Sequence, residues 1–209
     1  MKGVFEHFDL KVGDKKQLGE ATISAFEFSR KKDPIFAMRA AMDGVAIYDG
    51  KYIRLNVAGT LMMSDTDMEK DSNRDFVREA NGSVLIAGLG IGLILKNILH
   101  KLNDGTITSI SIVEKSKDVI ALIQPYFKDE RIRMIHGDIL EWRPSKGVKY
   151  DTIYFDIWPT ICADNLKEIT FLHNVFKHRL NRSNPNCWMN SWMKERLQRM
   201  NRKTSSYYW

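Results

Sequence analysis

Residues 84–99, VLIAGLGIGLILKNIL, are an apolar run that breaks at three alternate glycines, Gly88, Gly90 and Gly92, and resumes as an apolar, helix-like segment. A run as short as Val84–Ala87, with no polar alternation, suits a strand buried on both faces, and the segment from Ile91 suits a helix laid against it. The same alternation continues to the end of the chain. Strands are expected at 84–88, 107–114, 131–135, 150–156 and about 186–190, with helices at 91–102, 117–126, 165–180 and 193–203. Strands that alternate with helices form a parallel sheet covered on both faces, so the expected class is α/β and Rossmann-like. The last residues, TSSYYW at 204–209, offer at most a short edge strand, so the sheet is expected to be abbreviated to about five parallel strands.

Before about Asp75 the period is near two. Strand-like runs at Val4–Val12, Ala21–Ser29, Val45–Tyr48, Tyr52–Val57 and Thr60–Met63 are punctuated by Asp43-Gly44, Asp49-Gly50 and Ala58-Gly59. Such dipeptides between alternating runs mark hairpins. The expected organisation is an N-terminal β-hairpin unit over 1–75, then a ligand-binding Rossmann-like domain over 76–209 with a basic C-terminal helix. The charged segment 67–80 reads as a helix or lead-in that Asn81-Gly82 ends.

With 209 residues the chain has room for one full core and one main site. It carries 44% hydrophobic and 28% charged residues and no run of eighteen apolar residues, which points away from a membrane partner. Its N-terminus alternates and has no secretory h-region, so a cytoplasmic protein is expected. Cys162 and Cys187 have no ligand spacing, so no metal site is expected and both are read as free thiols. Of the net charge of +6, the segment from Asn165 to Trp209 holds nine Lys or Arg against two acids, a local excess of +7. A block of this kind can track the phosphates of a nucleic acid or simply form a solvated helix face.

The glycine spacing discriminates among ligands. A dinucleotide fingerprint needs glycine at 93, where Leu93 stands, and a phosphate loop needs a following Gly-Lys-Ser/Thr, which is absent. What remains is G-x-G-x-G, which serves a tight strand-to-helix turn or the close approach of a nucleoside. Three acids follow the next three expected strands: Glu114, twenty-two residues after Gly92; Asp138; and Asp156. At the carboxyl edge of a parallel sheet, Glu114 can accept from both hydroxyls of a ribose and Asp138 from an adenine amino group.

With these residues in place, "VLIAGLGIG", "IVEKS", "HGDILEW" and "YDTIYFDIWP" resemble the successive motifs of the class I S-adenosylmethionine-dependent methyltransferase superfamily, most of all its spermidine synthase-like branch. The hairpin "YIRLNVAGTLMMSDTDMEK" resembles the one that precedes the nucleotide domain of polyamine synthases. The resemblance implies S-adenosylmethionine as cofactor and S-adenosylhomocysteine as product. It implies that Gly88, Leu89 and Gly90, with Gly92, pass the methionyl part. Glu114, with Lys115 beside it, would hold the ribose, and Asp138 with Ile139 would frame the adenine. Asp156 would face the donor as base or amine-orienting group, and Trp158 and Pro159 would meet the substrate.

The departures fall on the residues that make a polyamine synthase. Met62 stands where the branch has a glutamine, Asp71, Ser72 and Asn73 stand in the region of its Tyr-His pair, and Trp158 directly precedes Pro159 where a second acid is usual. Methyl transfer to an unidentified acceptor is therefore the expected reaction, because a sulfonium donor asks of the protein chiefly positioning and a base. A non-catalytic adenosyl-binding or scaffold protein is the alternative, and aminopropyl transfer is a more distant one. The hairpin unit also suggests a homodimer, as such units pair between subunits in the branch it resembles.

Overall fold

The computed structural model describes residues 3–42 and 47–205. In chain order its elements are β1 Lys15–Leu18, β2 Ala21–Phe28, α1 Pro34–Met42, β3 Gly50–Val57, β4 Thr60–Ser64, α2 Asp67–Ser72 and α3 Arg74–Glu79. These are followed by β5 Gly82–Ala87, α4 Leu93–Asn103, β6 Ile107–Glu114, α5 Lys117–Ile123, β7 Ile132–His136, β8 Thr152–Phe155, α6 Asn165–Phe176, β9 Trp188–Ser191 and α7 Lys194–Ser205. Short 3-10 turns cover Phe5–Phe8 and Gln124–Tyr126.

The chain forms two compact units that interleave in sequence. One comprises Met1–Val77, Leu89–Leu99 and Ser116–Asp129; the other comprises Arg78–Gly88, His100–Lys115 and Glu130–Trp209.

In the first unit β1–β2–β3–β4 make an antiparallel sheet in that order. β2 buries Ala21, Ile23 and Ala25, the inward face of an alternating strand, and Phe28 at its end; α5 packs on β1 and β2. The β3–β4 turn places Ala58 at φ 48° and Gly59 at φ 78°, the two positive φ values that a two-residue hairpin needs to match strand twist. The register then shifts: Asn56 faces Leu61 but Leu55 faces Met63, so Met62 is the extra residue of a β-bulge.

In the second unit five parallel strands lie in the order β7–β6–β5–β8–β9. The central strands explain their composition: Val84–Ala87 and Thr152–Phe155 are buried at every position. The protein thus has an α/β, Rossmann-like sheet of five strands and a separate antiparallel N-terminal sheet. Among the described residues no helix is long and apolar enough to cross a membrane.

Several expected elements differ. Val4–Val12 is not a strand: Phe5–Phe8 is a 3-10 turn, Asp9 lies at φ 48°, and Val4 and Phe8 bury completely at helical spacing. The first strand is instead the polar KKQL of β1, whose pairing with β2 outweighs its weak propensity. In α1, Pro34 stands at the first helical position, where its missing N–H costs nothing. The sequence pattern gave no hint of α1. Of the strand expected over 45–48, Val45 and Ala46 lie outside the described residues, as does the Asp43-Gly44 turn, and Ile47 and Tyr48 are not in a strand. In the C-terminal TSSYYW, Thr204 and Ser205 end α7 and residues 206–209 lie outside the described residues.

Candidate functional site

In the second unit, parallel register brings the strand ends into one row. Ala87 pairs with Val113 and Phe155, Glu114 with His136, and Phe155 with Ser191. Gly88, Glu114, Asp138 and Asp156 therefore all follow or close strands at the same carboxyl edge, where a parallel α/β sheet accommodates ligands.

Gly88 is held by Val113, whose carbonyl accepts its N–H at 2.9 Å, and it adopts φ 93°. A Cβ there would overlap the carbonyl oxygen of Asp156, whose own N–H donates to the Ala87 carbonyl at 2.8 Å. The first glycine is thus required by the approach of β8's exit to β5's. Glu114 and Asp156 are half-buried, and both residues have interactions within the protein.

Asp138 is better defined. Its Oδ2 lies 2.8 Å from the Lys115 ammonium, and its Oδ1 accepts the Leu140 N–H at 3.0 Å. The Lys115 ammonium and then the Leu140 amide hold its carboxyl below the usual carboxylate range. Lys115 itself is 79% exposed, so the pair is a solvent-screened and exchangeable one. The backbone carbonyl of Asp138 accepts from Glu141 and Trp142 and fixes the turn, and Ile139 is buried behind it.

Trp158 is buried, and its indole N–H donates to Glu168 Oε2 at 2.7 Å; Pro159 is exposed. Asp164 precedes α6 but makes no side-chain cap bond: its carboxylate pairs with Lys167 at 3.0 Å.

A further polar group at this edge has no signature in the sequence. Ser191, 4% exposed at the end of β9, lies 2.9 Å from His173 Nε2, and the Lys194 ammonium lies 3.5 Å from His173 Nδ1. An ammonium only donates, so Nδ1 is the acceptor and Nε2–H donates to Ser191 Oγ. Burial first, and Lys194 second, push the imidazole pKa down to about 4. His173 is therefore a neutral, fixed donor at ordinary pH and a poor base.

The rest of the glycine turn belongs to the first unit. Leu89 is buried and Gly90 lies at φ 52°, with its open face covered by the Met63 thioether, which a Cβ would overlap. Met63 Sδ also accepts the Ile91 N–H at 3.3 Å. Gly92, at φ 70°, faces the Phe127 ring, which a Cβ would approach to 2.7 Å. Each of the three glycines has a packing reason for lacking a side chain.

Among the described residues no group of three or more His, Cys, Asp or Glu is placed to hold a metal. Cys162 and Cys187 are free thiols.

No protein-family model matches this chain, and no curated protein does. Among solved structures it is similar to an S-adenosylmethionine-bound amino pentose methyltransferase of Micromonospora echinaspora (15% identity, 54% of this chain and 44% of that one, TM-score 0.37). It is also similar to the N-methyltransferase NodS of Bradyrhizobium japonicum (14%, 54% and 62%, TM-score 0.40). The CcbJ methyltransferase of Streptomyces caelestis is a third (14%, 53% and 45%, TM-score 0.40). The chain spans less than two thirds of the length of each of these proteins. At such scores the fold assignment stands on the strand order and the parallel register.

Proposed function

We propose that the protein is an S-adenosylmethionine-dependent methyltransferase of the spermidine synthase-like kind that acts on an as yet unidentified acceptor and releases S-adenosylhomocysteine. The observation that carries this reading is the row formed by Gly88, Glu114, Asp138 and Asp156 at the carboxyl edge of one parallel sheet. The residues fit an adenosyl group. Glu114 is a half-exposed carboxylate at a strand end, suited to two ribose hydroxyls, and Asp138 is an acceptor whose outer partner, Lys115, can swing away. The G-x-G-x-G turn follows without a phosphate-binding Lys-Ser or Lys-Thr.

When bound, S-adenosylmethionine supplies an activated methyl on a sulfonium. The chain's own contribution is to hold the adenosyl part and to place Asp156, which orients an amine acceptor or takes the proton that the acceptor loses. The absence of the branch's glutamine and second acid favours methyl over aminopropyl transfer. A reading as an adenosyl-binding protein without catalysis keeps the same row as the ligand's hold and gives Asp156 no proton to take.

Calorimetry with S-adenosylhomocysteine and NAD side by side tests the proposal. S-adenosylhomocysteine is expected to bind and NAD not, and Glu114→Ala to weaken the former by about 1–3 kcal/mol, the cost of leaving polar partners unpaired. Asp156→Asn should keep folding and affinity while turnover falls by about 10²–10⁴. Binding of NAD alone overturns the proposal, and tight adenosyl binding without transfer to any acceptor supports the second reading.

A further inference from the structure

Two segments of the second unit meet at the C-terminal end of α6 and carry a block of charge that the row of acids does not use. Arg143, Lys146 and Lys149 lie in 143–150, Lys177, Arg179 and Arg182 lie in 177–184, and neither segment holds an acid. Their backbones are zipped together: the Tyr150 N–H donates to the Arg179 carbonyl at 2.8 Å, and the Asn181 N–H to the Tyr150 carbonyl at 2.7 Å. Arg179 adds a bond to the Ser145 carbonyl at 3.1 Å, and Lys149 one to the His178 carbonyl. Arg143 joins the same surface, with its guanidinium 5.6 Å from the ring centroid of Phe176, the residue before Lys177.

Folding explains part of this charge. A helix C-terminus favours a cation beside it, and Lys149 and Arg179 hold the seam. Lys146 and Arg182 do neither: both are exposed, and among the described residues their side chains bond to nothing in the chain. Nor, among the described residues, is any of the six cations paired with a carboxylate. Asp151, the next acid along the chain, is taken up by the Ser83 N–H, Asn181 and Asn184 at 2.8–2.9 Å. Cations crowded together without counter-charge repel one another, so the patch costs the fold stability and suits a polyanion.

An aromatic ring stands at the edge of the patch. The Arg143 guanidinium is fixed by the carbonyls of Ile139, Leu140 and Trp142 at 2.6–3.1 Å and lies 5.8 Å from the ring centroid of Phe171. Phe171, on α6, remains 46% exposed. A ring in solvent beside a fixed cation is a platform on which an unpaired base stacks, whereas a duplex keeps its bases within its own stack and would use the charges alone. We propose that this surface binds single-stranded nucleic acid, with phosphates along Lys146, Lys177 and Arg182 and a base on Phe171. Such binding needs neither an adenosyl ligand nor α7.

The test is fluorescence anisotropy of the full chain with a labelled single-stranded oligonucleotide and with its duplex. The single strand is expected to bind more tightly, with an affinity that falls steeply as salt rises. Joint replacement Lys146→Glu, Lys177→Glu and Arg182→Glu, with α7 intact, should weaken it about tenfold or more and flatten the logarithmic salt slope by roughly 2, about 0.7 for each phosphate no longer neutralised. Phe171→Ala should weaken the single strand by about fivefold to a hundredfold at an unchanged salt slope, and Phe171→Trp should keep the affinity. All four side chains are exposed, so urea midpoints are expected to match the wild type. No binding in dilute buffer, full binding by the triple variant, or an unchanged affinity in Phe171→Ala would overturn the inference. In the wild-type protein, a duplex bound as tightly as the single strand overturns it without recourse to a variant.

Discussion

Gly88 and Gly105 share a left-handed backbone and differ in what surrounds them. Gly88, at φ 93°, faces the Asp156 carbonyl, whereas Gly105, at φ 81°, has nothing within 4 Å of an added Cβ. Alanine at Gly105 meets backbone strain alone, about 1–2 kcal/mol, whereas at Gly88 it adds an overlap of backbone with backbone that only separation of β5 from β8 relieves. Denaturant unfolding should therefore show Gly105→Ala as a modest loss and Gly88→Ala as a loss larger by about 2 kcal/mol or more. Equal losses would mean that the exit of β8 yields without cost. In sequence the two positions differ only by their neighbours; the backbone that crosses Gly88 comes from a segment sixty-eight residues away.

His173 joins α6 to the end of β9 and the start of α7, and its titration reports on that junction. Its pKa in the folded protein, about 4, lies below the ordinary 6.5 because burial, and then the Lys194 ammonium, disfavour the charged ring. The fold thus accepts the neutral ring and resists the proton. The stability that this represents is complete above pH 6.5 and is lost progressively as the pH falls towards 4, while the unfolded chain binds the proton first. Urea unfolding at pH 7 and pH 5 should show a drop in midpoint that His173→Gln largely removes; a drop that the variant keeps belongs to other groups. α7 makes a separate prediction. It buries Leu197 and leaves Arg199 and Arg202 exposed. We propose that the helix tracks nucleic-acid phosphates. Affinity for a labelled single-stranded oligonucleotide should then fall steeply with salt, because each neutralised phosphate releases counterions, and Arg199→Glu with Arg202→Glu should flatten the slope. Binding that is insensitive to salt, or absent in dilute buffer, would leave α7 a solvated face.

For the whole chain, ligand linkage gives a test that needs no acceptor. At one hundred times its dissociation constant, a ligand bound only by the folded protein adds about 2.7 kcal/mol. In a chain of this length that is a rise of about 5–10 °C in Tm, expected with S-adenosylhomocysteine and not with NAD. Dependence of Tm on protein concentration in the same scans would report the homodimer that the hairpin unit suggests. The alternation of strands and helices after Val84 and the row of acids were legible in the sequence. Central strands of a parallel sheet are buried on both faces, and each acid closes its own strand or follows it by one or two residues, so both signals are local. The Phe5–Phe8 turn, the polar strand β1 and the helix α1 were not legible, because each depends on partners that local pattern does not name. The branch-specific comparison pointed to Met62, three residues after Gly59, yet it is Met63 that meets the glycine turn, since a single bulged residue in β4 inverts which side chain faces inward. Likewise Ser191 and His173 come together only through the pairing of β8 with β9 and the packing of α6. By itself the sequence determined the strand-and-helix order of the second unit and the acids at its edge, because periodicity and turn chemistry act over a few residues. The tertiary structure alone decided register, the residue at the glycine turn and the partners of each acid, because these arise from contacts between segments far apart in the chain.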